Sequence, residues 1–192
     1  MAPRAAYLAA AARILPRHPL CAARGTRASE AGRVVPMSHL SKLLPLANIA
    51  VDCDARDKSA ALDVAAALFA SATGIDQARI RASFAAREAL GSTGLGLGVA
   101  IPHGRVRGLK HAMAAIVRLS MPVNFDAPDG RPVGLLFALL VPENATQEHL
   151  EVLSELAQML SDRELRVGLM SETTAEAVRS RICAWEPIRP AA

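Results

Sequence analysis

Aromatic residues are scarce in this chain. One Trp, one Tyr and four Phe make up 3% of its 192 residues. Any core must come mostly from Ala, Leu and Val, and an apolar fraction of 52% is ample for one. No apolar run approaches the ~18 residues of a membrane span, which argues against insertion into a bilayer. Cysteine is sparse as well: Cys21, Cys53 and Cys183 lie far apart, with no pair at metal-ligand spacing. An odd, scattered set argues against a disulfide framework and suits a reducing compartment such as the cytoplasm. Acids are nearly missing from residues 1–36, where six arginines face only Glu30, so the net charge of +4 belongs to that stretch. Residues 37–192 keep 16 basic and 17 acidic residues. A near-neutral body without a basic stripe or interleaved aromatics does not suit nucleic-acid binding.

The Ala- and Arg-rich composition of residues 1–36 suits a disordered tail or a transit segment. Equally, Met37-Ser38-His39-Leu40 reads as a natural start. A globular domain is expected over 37–186, with residues 187–192 as a tail.

The stretch Gly91–Arg105 organises that domain. Four glycines fall between Gly91 and Gly98, followed by Val99-Ala100-Ile101, Pro102, His103 and Gly104. Glycine admits backbone angles that a side chain forbids, so the cluster marks a tight bend or a close approach. Val99–Ile101 reads as a short strand between breakers. Pro102 fixes one dihedral and so restricts how His103 is delivered. Imidazole is a good nucleophile that is half-neutral near pH 7, which points to His103 as a phosphorylated nucleophile.

Around this stretch, helices and strands alternate. A turn of helix is expected near Leu40–Leu44 and a strand over Ile49–Val51. Asp57 caps a helix over about 58–70, which Gly74 ends; Asp76 caps another over about 77–89. A polar turn is expected after His103, through Arg105, Gly108 and Lys110. Met113–Leu119 reads as a strand, and the Asp129-Gly130 turn suggests a hairpin-like connection. The continuous apolar run Val133–Val141 suits a central strand covered on both faces. Asn144 and Gln147 form a capping box for a helix through Leu150, Leu153, Leu156 and Leu160, with His149 in its first turn. A short helix over 162–170 follows. A second capping box, Thr173 with Glu176, opens a terminal helix to about Ala184, and Trp185 closes the core. The expected fold is three-layer α/β, a mixed central sheet flanked by helices on both faces.

Phosphoryl transfer asks a protein mainly to position groups and offset charge. Arg87 before the glycine loop offers a planar fork of donors. His149 can donate from a ring nitrogen and lies at the positive end of a helix dipole. Thr93 adds a hydroxyl, and loop amides add more. Each residue alone has an ordinary structural reading, and His18, His39 and His111 keep theirs. The loop is not a dinucleotide fingerprint: it lacks the Gly-x-Gly-x-x-Gly spacing and runs from helix to strand. A metal site built on His103 and His149 lacks a third ligand.

The segment Arg87–Gly96, continued by Ala100-Ile101-Pro102-His103-Gly104, closely resembles the IIA domains of the bacterial phosphoenolpyruvate-dependent phosphotransferase system, in the fructose/mannitol and nitrogen-regulatory class. Asp126-Ala127-Pro128, Leu135–Pro142 and Thr146–Leu150 extend the resemblance over about 37–185. It implies a mixed sheet flanked by helices, and a phosphoryl group accepted on His103 from a histidine phosphocarrier protein. His149 and Arg87 match the family's phosphoryl-site histidine and arginine; Thr93 lies in the matching loop. No metal or cofactor is implied, and a shallow apolar partner face is expected around His103. Within the family the segment Leu136–Asp162 looks more like the regulatory type, which controls partner proteins. The alternative is a sugar-specific relay to a IIB domain.

Overall fold

The computed structural model describes residues 39–144 and 148–186. The expected tails lie outside the described residues, as does Gln147, the partner of Asn144 in the expected capping box. Thirteen elements follow in order: α1 (His39–Leu43), a short 3-10 turn (Leu46–Asn48), β1 (Ile49–Cys53), α2 (Lys58–Thr73), α3 (Gln77–Glu88), β2 (Gly94–Gly96), β3 (Val99–Ala100), β4 (His103–Val106), β5 (Met113–Val123), β6 (Val133–Pro142), α4 (Glu148–Ser161), α5 (Arg163–Ser171) and α6 (Ala175–Ala184).

Local chemistry sets many of these boundaries. The Asp57 carboxylate accepts from the Ala60 amide at 2.8 Å, an N-cap worth about 1 kcal/mol. Gly74 ends α2 in the left-handed region at φ 71°, where glycine carries no steric cost. Asp76 caps α3 and Asp162 caps α5. The cap expected at Thr173 shifts by one residue, which puts Ala177 rather than Glu176 at the box position. It is Thr174, not Thr173, whose hydroxyl accepts from the first turn of α6, at the Ala177 amide.

The six-stranded sheet runs β1-β5-β6-β3-β2, with β4 also paired to β6. It is mixed: β5 and β6 are antiparallel, as are β2 and β3, while β1–β5, β3–β6 and β4–β6 are parallel. β6 is buried along nearly its whole length. From Leu135 onward its side chains alternate between the faces. Leu135, Phe137, Leu139 and Val141 join the core under α1, α4, α5 and α6. Leu136, Ala138 and Leu140 join the core under α2 and α3. Each Leu so covered contributes roughly 1.5–3 kcal/mol. A continuous apolar run thus becomes a two-sided strand because helices cover both of its faces.

One expected segment differs. The polar turn predicted after His103 begins instead as β4, paired with β6 from His103 opposite Leu139 to Val106 opposite Pro142. Two buried residues, Gly104 and Val106, alternate with the less buried His103 and Arg105. Pairing along the free half of β6 overrides the local turn preference of Gly104 and Arg105. β3 and β4 therefore lie end to end along one edge of β6. The break falls at Pro102, which has no amide to donate but whose carbonyl accepts from the Leu139 amide at 2.9 Å.

Candidate functional site

The site is assembled where α3 crosses β4. A Cβ on Gly104 would lie 2.3 Å from the Ser83 hydroxyl oxygen and 3.1 Å from the Phe84 ring. Only glycine lets α3 come this close, and the contact is tied by the Ser83 hydroxyl donating to the Arg105 carbonyl at 2.8 Å. Arg87 follows Ser83 by four residues and so shares its helix face. Its Nε donates to His103 Nε2 at 3.0 Å. Another guanidinium nitrogen donates to the Gly91 carbonyl at 2.9 Å, across the turn leaving α3.

A guanidinium nitrogen is always a donor, so His103 Nε2 must carry the lone pair. The ring proton then sits on Nδ1, which lies 2.9 Å from the Ile101 carbonyl and donates to it. This is the Nδ1–H tautomer, with Nε2 as the basic, nucleophilic atom. His103 is half-buried and lines an open cleft of about 500 Å³. Arg87, Leu90, Leu139, Val141 and Leu153 also line this cleft. Leu90 at its rim is 85% exposed. The cleft can therefore present a nucleophile and a cation within an apolar frame.

Arg87 and His103, singled out in the sequence, are brought into direct contact. The side chain of His149 lies outside the described residues. Its place in α4 is one turn before Leu153, which lines the cleft. Thr93 differs from expectation. It is 5% exposed, and its hydroxyl donates to the Glu88 carboxylate at 2.6 Å. That proton is not available to a phosphoryl oxygen.

Glu88 is the residue the sequence reading passed over. Its carboxylate also accepts from the Thr93 amide at 3.0 Å and from the Lys58 ammonium at 3.2 Å. Lys58 in turn reaches Asp126 at 2.6 Å. Burial alone would push the Lys58 ammonium down, but the Asp126 and Glu88 carboxylates hold it above its usual value. Lys58 holds Asp126 below the usual carboxylate value. One signal was present in the sequence. Glu88 is the last residue of α3, where the negative end of the helix dipole disfavours an acid. An acid in that position asks for a partner.

Among the described residues, no group of three or more His, Cys, Asp and Glu is placed to hold a metal ion. No helix there is long and apolar enough to cross a membrane.

Known proteins share both the sequence and the fold. Residues 42–184 match the family described as "Phosphoenolpyruvate-dependent sugar phosphotransferase system, EIIA 2". The nitrogen regulatory protein of Pseudomonas aeruginosa is 52% identical over 103 residues, covering 54% of this chain and 67% of that protein. The crystal structure of the nitrogen regulatory protein IIA-Ntr from Neisseria meningitidis is 48% identical with a TM-score of 0.72, and the match covers 76% of this chain and 99% of that one. The fold is also that of the mannitol enzyme IIA of Escherichia coli, solved in complex with phosphorylated enzyme IIB. There the TM-score is 0.62 at 21% identity, over 73% of this chain and 98% of that one. With its mixed six-stranded sheet and helices on both sides, the chain belongs to the EIIA 2 family of the phosphoenolpyruvate-dependent phosphotransferase system and is similar within it to the nitrogen regulatory proteins.

Proposed function

We propose that the domain over 37–186 is a cytoplasmic phosphoryl carrier that accepts its phosphoryl group on His103 Nε2 from a histidine phosphocarrier protein, and that its phosphorylation state regulates partner proteins. The single observation that carries this reading is the imidazole with both nitrogens fixed. Nδ1–H is held on the Ile101 carbonyl and the Nε2 lone pair faces Arg87.

The Nε2 lone pair attacks phosphorus, forming a P–N bond. The P–N bond to the donor's histidine breaks, and its electron pair returns to the donor imidazole. The Nδ1 proton stays in place, so the phosphorylated ring is cationic and its bond to the Ile101 carbonyl strengthens. Arg87 covers Nε2 at rest and must swing off it. The same guanidinium then meets the incoming phosphoryl oxygens, where its donors offset charge as it spreads in the transition state. His149, which matches the family's phosphoryl-site histidine, is the proposed second donor to the phosphoryl group. Thr93 serves the loop rather than the phosphoryl group. The apolar rim with Leu90 suits brief docking of a small carrier. No step requires a bound metal or cofactor.

Incubation of the purified protein with phosphoenolpyruvate and the general phosphotransfer proteins is expected to give an acid-labile, base-stable phosphate that is lost in His103→Ala. A protein that stays unlabelled at full donor turnover would overturn the reading. Relay of phosphate to a IIB domain is the second reading, supported by the fold shared with the mannitol IIA protein. Labelling of a IIB domain by the phosphorylated protein would favour it over regulation.

A further inference from the structure

The loop between α3 and β3 connects Glu88 to the far side of the His103 ring. Thr93 donates both its amide and its hydroxyl to Glu88. The Thr93 carbonyl accepts from the Ile101 amide at 2.9 Å. The Ile101 carbonyl accepts from His103 Nδ1 at 2.9 Å. Lys58 holds the Glu88 carboxylate at the other end of the chain, and the Glu88 side chain is 8% exposed. Two adjacent residues at the end of α3 thus govern one imidazole. Arg87 contacts Nε2 directly, and Glu88 reaches Nδ1 through Thr93 and Ile101.

We infer that Glu88 and Thr93 are positioning residues for phosphoryl transfer, fixing the tautomer and ring plane of His103 through Ile101. The inference rests on His103 being the phosphorylated residue. Thr93 fixes Ile101 at its amide, and Ile101 then presents its carbonyl at one angle. Pro102 stiffens the next link, and its own carbonyl is fixed on Leu139. The Nδ1 proton has a single direction in which to point, so Nε2 faces the cleft before a donor arrives. The transfer step then avoids the cost of reorienting the nucleophile. Without the Thr93 hydroxyl, Glu88 Oε2 loses its shortest donor, and the Thr93 backbone that accepts from Ile101 is held by its amide alone.

The test is Thr93→Val, which keeps the side chain's shape and the backbone amide, set beside Thr93→Ser and Glu88→Gln. Thr93→Val is expected to lower kcat for transfer from the phosphocarrier about tenfold while KM stays within about twofold, with Thr93→Ser restoring most of the loss. In the unphosphorylated protein, the 15N signal of His103 Nδ1 should shift from that of a protonated nitrogen towards a tautomer average in Thr93→Val and in Glu88→Gln. Wild-type kcat together with wild-type 15N signals in Thr93→Val would overturn the inference. If Thr93→Val does not fold, an unchanged Nδ1 signal in Glu88→Gln overturns it. The nitrogen signals require no phosphate, so they decide the inference even if the wild-type protein proves unable to accept a phosphoryl group.

Discussion

The two helical layers reach the cleft by different means. The α2–α3 layer arrives with charge and hydrogen bonds: Lys58 opens α2, Arg87 and Glu88 close α3, and every one of these side chains has a named polar partner. The opposite layer arrives with apolar surface, where Leu153 of α4 faces the cleft beside Val141 and Leu139 of β6. The sheet edge holds His103 between them. One layer therefore sets how the imidazole reacts, and the other helps set what can sit against it. The division follows from packing. Gly104 lets α3 approach β4 until side chains of one face bond the strand.

If the division is real, substitutions of the charged and of the apolar groups around the cleft should separate in kinetics. The largest effect belongs to the charged layer. Arg87→Ala removes the guanidinium that offsets phosphoryl charge, so kcat for transfer onto His103 should fall roughly 100-fold with little change in donor KM. Single-turnover transfer from the labelled phosphocarrier checks this; a raised KM with unchanged kcat would place Arg87 in docking instead.

A smaller effect of the other kind is expected at the apolar rim. Leu90 is 85% exposed, so Leu90→Ser should leave the thermal midpoint unchanged. It should raise donor KM about fivefold, roughly 1 kcal/mol of docking, with kcat retained. A fall in kcat without a change in KM would break the comparison from this side.

The smallest effect is that of pH on the Lys58–Asp126 pair. Asp126 titrates below its usual value of 3.8 because Lys58 binds it. Its contribution to stability is complete above that usual value and is lost as pH falls through the lower folded-state value. Lys58 titrates above its usual 10.5. Its contribution is complete below that and is lost as pH rises through the higher folded-state value. Between these limits the pair should be indifferent to pH. The backbone amide signal of Thr93, followed from about pH 5 to pH 9, should show no transition attributable to either group. A transition of the loop in mid-range that Lys58→Met abolishes would contradict this.

Much of this was legible in the residues, and what was not has a physical reason. Capping side chains marked the starts of α2 and α3 because they act within one turn of their own position. The two-sided character of β6 followed from its unbroken apolar run. Arg87 and His103 were legible as a pair through their relation to the glycine loop, although 16 residues separate them. β4 was not legible, since the ladder that stabilises it is supplied by β6, more than thirty residues away. Thr93 was placed in the right loop, but its bond to Glu88 was not foreseen. Nothing local distinguishes a hydroxyl aimed at a ligand from one turned back on the preceding helix. Glu88 carried a faint signal, its unfavourable place at a helix C-terminus.

The central claim concerns one atom. The most direct test is phosphorus–nitrogen coupling in the phosphorylated protein labelled with 15N in its histidines. One-bond coupling from phosphorus to Nε2 of His103, with the proton retained on Nδ1, is the predicted result. Phosphorus bonded to Nδ1, or to any residue other than His103, would contradict it.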